Sequence, residues 1–208
     1  MFAENTTNDD FKYITIETGS FAVNTTIFVL KGKAYVVDPG ADAGEILAKL
    51  SKLGAKSYDV LLTHGHFDHI GALASLAKEN PQMKVYVSKG DLEVIDHPFN
   101  AYPPDYPRVA RPSNIGDFSS LEGIEVIETP GHTPGGVSYH IADHAVVFTG
   151  DTLFKSSVGR TDLPGGDMGV LISSLKKLMA LPDAITVIPG HGAFTTIGTE
   201  RRTNPFIV

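Results

Sequence analysis

Cysteine is absent from the 208 residues of the chain. Its absence excludes a disulfide framework, a thiolate nucleophile and any metal site with sulfur ligands. A metal ion in this protein must therefore be held by nitrogen and oxygen atoms. The absence leaves the redox compartment undetermined.

Long apolar runs are also missing. No stretch approaches the roughly 20 apolar residues that a membrane-spanning helix needs. The first residues, MFAENTTNDDFKY, are polar and acidic, whereas a signal peptide is basic and then apolar. These features predict a cytoplasmic protein that does not act at a membrane.

Basic residues are outnumbered: the chain has 17 Lys and Arg against 24 Asp and Glu, for a formal net charge of -7. Nucleic-acid binding depends on clustered Lys and Arg, and the basic residues here are scattered. We therefore expect a small-molecule substrate and no nucleic-acid partner. The sequence leaves the oligomeric state open.

Short β-branched runs alternate with helical periodicity along the chain. YITIETG, TTIFVL and KAYVVDPG are typical of antiparallel strands, and a helix is predicted in DAGEILAKLSKLGA. The second half repeats this order from GIEVIETPGH to AITVIPGH. We therefore predict a four-layer α+β fold, two sheets face to face with helices outside, in a single domain over residues 1–208. Residues 96–114 hold five of the 13 prolines and are predicted to form a loop or a lid.

Histidines are concentrated in THGHFDHIGA, residues 63–72. His64 and His66 are two residues apart, so on an extended segment their side chains point the same way and can share one cation. Asp68 and His69 follow where the chain turns into a helix, which directs them to a second point nearby. The spacing predicts two adjacent metal sites.

Further candidate ligands recur at the ends of later strands. His132, Asp151 and His191 each follow a glycine, which permits the sharp turn that brings a side chain to the edge of a sheet. The total of five histidines and two carboxylates exceeds the need of one tetrahedral zinc ion. It suits two cations about 3.5 Å apart in a catalytic arrangement.

The motifs THGHFDH, PGHTPGG, TGDTLF and PGHG, in this order, resemble those of the metallo-β-lactamase superfamily from about residue 12 to 195. The resemblance implies an αβ/βα sandwich with the metal site at the open edge of the two sheets. It assigns the ligands as follows: His64, His66 and His132 to the first metal, Asp68, His69 and His191 to the second, and Asp151 as the bridge. It implies hydrolysis by a metal-bound hydroxide, with Asp68 and Asp151 as the catalytic carboxylates.

The cofactor is expected to be one or two divalent metal ions. Zinc is the first expectation, and iron and manganese are the alternatives, because nitrogen and oxygen ligands do not choose among these metals. Asp38 in VVDPG lies at the end of another strand. We expect it to be an acceptor for a ligand histidine or a residue that forms the turn.

The segment GDTLFKSSVGRTDLPGGD, residues 150–167, is similar to the glyoxalase II-like branch. That resemblance implies that Arg160 contacts a carboxylate of glutathione, while Asp162 either pairs with Arg160 or caps a turn. The chain resembles the shorter bacterial members, without the C-terminal helical domain of full-length glyoxalase II. The implied function is the metal-dependent hydrolysis of acyl-glutathione thioesters, such as S-D-lactoylglutathione to D-lactate and glutathione.

Two other functions remain open. GRTD also resembles the persulfide dioxygenase branch, in which His64, His132 and Asp151 would hold a single iron. A metal-binding regulatory module is the other alternative. The lack of cysteine and the presence of Asp151 argue against the β-lactamase branches.

Overall fold

The first half of the chain forms a six-stranded mixed sheet in the computed structural model, which describes residues 3–8 and 10–207. Its strands lie side by side in chain order: β1 (Ala3–Asn8), β2 (Phe11–Thr18), β3 (Val23–Leu30), β4 (Lys33–Val37), β5 (Tyr58–Leu61) and β6 (Val85–Tyr86). The first four strands are antiparallel, whereas β4, β5 and β6 run parallel. Parallel strands require crossover connections, and the intervening helices provide them.

The second half forms a five-stranded sheet and a small hairpin. The sheet strands, in spatial order, are β13 (Thr195–Thr196), β12 (Thr186–Pro189), β9 (Val146–Gly150), β8 (Val137–Ile141) and β7 (Glu125–Glu128). The hairpin pairs β10 (Leu153–Phe154) with β11 (Ser157–Val158). Strands β9 and β12 are parallel and central, so both end at the same edge of the sheet.

Helices cover the outer face of each sheet. They are α1 (Ala43–Lys52), α2 (Phe67–Ile70), α3 (Leu73–Glu79), α4 (Lys89–Asp96), α5 (Met168–Leu178) and α6 (Ile197–Thr203), with 3-10 turns at Phe118–Ser120 and Ala142–His144. In the part of the chain that the structure describes, no helix is long and apolar enough to cross a membrane.

Three buried clusters define the layers. Ile46 and Leu50 of α1 pack with α3 on the outer face of the first sheet, and Leu171 and Leu175 of α5 pack with α6 on the outer face of the second. Between the sheets, aromatic side chains meet: the rings of Phe28 and Phe148 are stacked with centroids 5.5 Å apart. Burying an apolar face on each side of both sheets accounts for the four layers.

The predicted αβ/βα sandwich is therefore confirmed. The predicted loop over residues 96–114 begins one residue later, at 97, because α4 ends at Asp96 and no helix or strand follows before Phe118 in the described chain. The prediction of a single domain over residues 1–208 includes residues 1, 2, 9 and 208, which lie outside the described residues. Residues 1, 2 and 9 also belong to the N-terminal segment on which the cytoplasmic expectation is based. Both expectations stay predictions.

Candidate metal centre

The seven candidate ligands lie together at one edge of the sandwich. His64 and His66 follow β5, His132 follows β7, Asp151 follows β9 and His191 follows β12. Each position is at or just beyond the carboxyl end of its strand, where the loops of the two sheets face each other. The topology therefore brings together residues that are up to 127 positions apart in the chain.

His64, His66 and His132 form a first triad, with one nitrogen of each ring within 4.8 Å of the others. Nδ1 of His66 lies 2.9 Å from Nε2 of His132. All three residues are buried. Three imidazoles converging in this way provide the donor set of a nitrogen-ligated cation site.

Asp68, His69 and His191 form a second triad, also within 4.8 Å. Nε2 of His191 lies 3.3 Å from Oδ2 of Asp68 and 3.3 Å from Nε2 of His69. This triad therefore combines two imidazoles with one carboxylate.

Asp151 lies between the two triads. Its Oδ1 is 3.4 Å from Nε2 of His69, and its Oδ2 is 3.6 Å from Nε2 of His132 and 3.7 Å from Nε2 of His191. One carboxylate thus faces both donor sets, which is the placement that a bridging ligand requires.

The far nitrogens of four histidines face oxygen atoms. Nδ1 of His132 donates to the carbonyl of Arg160 at 2.7 Å, and Nδ1 of His191 donates to the carbonyl of Phe21 at 3.0 Å. Nδ1 of His69 lies 3.0 Å from Oδ2 of Asp38. Nδ1 of His64 lies 3.1 Å from the hydroxyl of Thr63, which itself donates to Asp38. When the far nitrogen carries the proton, Nε2 keeps a lone pair directed into the site.

Asp38 directly follows the end of β4 and lies beside the ligand histidine His69. It accepts from the amide and the hydroxyl of Thr63 at 2.8 and 2.6 Å, besides its contact with His69. Its φ of 47° also places it in the left-handed conformation of a turn. Asp38 therefore takes the expected turn conformation, while its contact with His69 is an ion-pair distance, since Nδ1 of that ring makes no hydrogen bond within the described chain. Asp38, His64 and His69 also come within 4.8 Å of one another, but Asp38 is already engaged by Thr63.

The electrostatics of the site favour bound positive charge. Burial lowers the pKa of His66 to about 3 and that of His64 well below its usual range, so both rings are neutral at pH 7. Burial also opposes a charge on His69, but the surrounding carboxylates outweigh it and raise the pKa of that ring. The same pairing, chiefly with His69, outweighs burial at Asp151 and lowers the pKa of its carboxyl.

The residues fit a pair of divalent cations. Buried Nε2 of His64 and Oδ1 of Asp151 make no hydrogen bond within the described chain, and burying such polar atoms without a partner costs free energy. When a cation replaces the proton that the carboxylates favour on His69, the donor set is neutral imidazole and carboxylate, which suits zinc, iron and manganese alike. Two cations would satisfy the lone pairs that the rest of the fold leaves directed inward.

Two buried polar residues near the site were not singled out from the sequence. The side chain of Asn100 accepts from the amide of Phe67 at 2.8 Å and donates to the carbonyl of Gly65 at 2.9 Å, so it fastens the 97–114 loop to the histidine-rich segment. Asp91 of α4 is fully buried and bonds to the same segment. Neither residue stands in a pattern that distinguishes it from an ordinary loop or helix residue.

Arg160 lies on the rim of the site and is exposed. Its guanidinium makes a two-bond ion pair with Asp162, with both distances 2.7 Å, and Arg160 lowers the pKa of that carboxyl to about 2. Asp162 therefore pairs with Arg160, the first of its two expected roles. Contact of Arg160 with a substrate stays a prediction, while its main-chain carbonyl orients His132.

Comparison with known proteins gives consistent similarities. Residues 18–191 match the metallo-β-lactamase superfamily. The hydroxyacylglutathione hydrolase GloC of Haemophilus influenzae is 37% identical over 188 residues, which span 84% of this chain and 87% of that protein.

Two solved structures are also similar. TTHA1623, crystallised in a di-iron-bound form, has a TM-score of 0.85 and 37% identity, over 92% of this chain and 98% of its own. The BLEG-1 B3 metallo-β-lactamase has a TM-score of 0.83 and 33% identity, over 94% and 99%. The first leaves the identity of the metal open. The second bears the name of a B3 metallo-β-lactamase.

Proposed function

The chain belongs to the metallo-β-lactamase superfamily, and from that membership we propose that it is a metal-dependent hydrolase of acyl thioesters with a glutathione-linked substrate of the S-D-lactoylglutathione type. The observation that carries the proposal is the convergence of five histidines and two aspartates in two triads with Asp151 between them. The thioester class is supported by the 37% identity to a hydroxyacylglutathione hydrolase.

The residues divide into two ligand sets in this proposal. His64, His66 and His132 would hold one cation, Asp68, His69 and His191 would hold the other, and Asp151 would be the ligand that both share. Divalent cations at such positions polarise a carbonyl group and lower the pKa of water. In the overall reaction a water oxygen bonds to the acyl carbon, the carbon–sulfur bond breaks and the departing sulfur takes up a proton.

The chain itself offers a place for the thiol half of the substrate. A cleft of about 360 Å³ opens between α4 and the loop around Gly165, and Lys89, Glu93, His97 and Phe99 are among its lining residues. The ring of Phe99 lies 6.1 Å from that of His66, so the cleft borders the first triad. A lysine and a glutamate in one cleft complement the ammonium and carboxylate groups of a peptide end. We place the glutathione moiety there, with Arg160 as a further carboxylate contact.

The test is the initial rate of S-D-lactoylglutathione hydrolysis by protein reconstituted separately with zinc, manganese and iron. His66→Ala is expected to abolish the rate because it removes a ligand of the first triad. His144→Ala is the matched control, since this histidine stacks on Phe11 away from the site and its loss should leave the rate unchanged. A full rate in His66→Ala would refute the mechanism.

Two further assays separate this function from its alternatives. Oxygen uptake by the iron-loaded protein with glutathione persulfide, in place of thioester hydrolysis, would identify a dioxygenase. Hydrolysis of a β-lactam as fast as that of the thioester would place the chain with BLEG-1 in function as well as in fold.

A further inference from the structure

Asp91 is a buried carboxylate that none of the proposed ligand roles uses. It lies in the first turn of α4 and is fully inaccessible to solvent. Its Oδ2 accepts from the amide of Gly65 at 2.7 Å and from the hydroxyl of Thr133 at 2.9 Å, and its Oδ1 accepts from the amide of Gly135 at 2.7 Å. Three donors therefore converge on one side chain.

These three donors belong to the two segments that carry the first triad. Gly65 stands between His64 and His66, while Thr133 directly follows His132 and Gly135 lies two residues further on. The two segments are about 70 residues apart in the chain, and Asp91 bonds to both. One carboxylate thus joins the two segments that carry the three imidazoles of this triad.

Helix α4 packs so closely against these two segments that a side chain at Gly65 or Gly135 would collide with it. A Cβ atom on Gly135 would lie 2.5 Å from the amide nitrogen of Asp91, and one on Gly65 would lie 2.9 Å from its carbonyl oxygen. Only glycine permits this approach. The carboxylate therefore reaches the main-chain amides directly, and hydrogen bonds to an ionised acceptor are the stronger kind.

The second triad is held by different groups. His69 contacts Asp38, and His191 donates to the carbonyl of Phe21. Neither contact involves Asp91, although Asp38 also accepts from Thr63, which directly precedes His64. The second triad thus has contacts of its own, whereas the three bonds of Asp91 all go to residues next to or near the ligands of the first triad.

We propose that Asp91 is a positioning residue that sets the metal affinity of the first triad and has little influence on the second. The inference rests on the proposed function only in that both triads hold metal. It does not depend on the substrate.

The test measures zinc affinity of the full chain by competition with a chromophoric chelator. Asp91→Asn keeps the size of the side chain but turns an amide NH₂ toward donors that need an acceptor. Thr133→Val removes one of the three hydrogen bonds with little change of shape, and serves as a milder variant if Asp91→Asn fails to fold.

The matched control is Glu200→Gln. Glu200 is equally buried, and it too accepts three bonds, from Ser156, Thr195 and Asn204, but it lies within α6 and is not bonded to the ligand segments. Both substitutions are expected to lower the melting temperature. Only the change at Asp91 is expected to alter zinc affinity. A residue that contributed to stability alone would lower the melting temperature and leave zinc affinity unchanged.

Single-site backgrounds assign the effect to one triad. With His191→Ala, which leaves the first triad intact, Asp91→Asn should raise the zinc dissociation constant about 10- to 100-fold, the range typical of lost outer hydrogen bonds to metal ligands. With His66→Ala, which leaves the second triad intact, the change should stay within about threefold.

An equal rise in both backgrounds, or no rise in the first, would overturn the inference. Failure of the wild-type protein to bind zinc would overturn it together with the proposed metal sites. Zinc binding without thioester hydrolysis would count against the proposed substrate alone.

Discussion

Replacing Asp38 with Asn tests whether one carboxylate organises the histidines of the site. Asp38 is 1% exposed and has three partners: the amide of Thr63 at 2.8 Å, the hydroxyl of Thr63 at 2.6 Å and Nδ1 of His69 at 3.0 Å. Asparagine has the same shape and tolerates the left-handed conformation at φ 47°. The substitution therefore changes charge and hydrogen bonding without adding backbone strain.

The size of the effect follows from these contacts. An amide has one acceptor oxygen, which can keep the bond to the amide of Thr63. The new NH₂ group then faces the hydroxyl of Thr63, which donated to the carboxylate, and the ring nitrogen of His69, which lay within ion-pair distance of its charge. Hydrogen bonds to a charged group contribute about 1.5–3 kcal/mol each, and rotation of the hydroxyl recovers part of the loss. We expect the free energy of unfolding of the metal-free protein to fall by about 2–4 kcal/mol.

The assay is urea unfolding in the presence of a chelator, followed by circular dichroism. Asp59→Asn is the matched control, because Asp59 is also buried and accepts from the amide of Lys84 at 2.8 Å, but far from the histidines. A second measurement compares zinc affinity in the two variants. Asp38→Asn should weaken zinc binding about 10- to 100-fold through the lost support of His69, whereas Asp59→Asn should not change it.

Unfolding of Asp38→Asn at the same urea concentration as the wild type would refute the reasoning about buried acceptors. Equal zinc affinity in Asp38→Asn and the wild type would refute the claim that this carboxylate orients the ring of His69.

Three further predictions concern other parts of the chain. Arg160→Ala should raise the KM for S-D-lactoylglutathione about tenfold. The kcat should change little, because the main-chain carbonyl of residue 160 still orients His132. An unchanged KM would contradict the predicted contact between Arg160 and the substrate. Gly190→Ala should displace Asp151, since the new Cβ would lie 2.2 Å from Oδ1 of that carboxylate. Metal analysis of this variant should therefore show that bound zinc is lost. Gly44→Ala is the control and should retain zinc, because its new Cβ would meet no atom within 4 Å. Burial raises the pKa of Tyr58 to about 12. Between pH 10 and 12 this tyrosine ionises in the unfolded chain before it does in the folded protein, so the folded protein should lose stability over that range. Tyr58→Phe should flatten this part of the pH profile of the free energy of unfolding, and parallel profiles for the variant and the wild type would contradict the prediction.

The sequence was sufficient for the fold class and for the candidate ligands. Alternation in strands and periodicity in helices are local properties, so the order of elements can be predicted from short windows. His64, His66, Asp68 and His69 lie in one short segment, and their spacing alone indicates two adjacent sites. The later ligands were found because glycine precedes each of them at the end of a predicted strand.

The tertiary structure decided what supports those ligands. Asp91 bonds to Thr133 and Gly135, which are 42 and 44 residues away in the chain, and Asn100 bonds to Gly65 from 35 residues away. In sequence, Asp91 stands in SKGDLEVID, where a charged residue in the first turn of a helix normally faces water. Only the packing of α4 against two distant loops buries it.

The identity of the ligands and the protonation of their rings differ in the same way. Residue type and spacing determined which side chains could bind a cation. Which ring nitrogen carries the proton depends on an oxygen atom supplied by a distant part of the chain, such as the carbonyl of Phe21 facing His191, 170 residues later. Chemical identity is a property of the sequence, whereas orientation and electrostatic environment arise from contacts that exist only when the chain is folded.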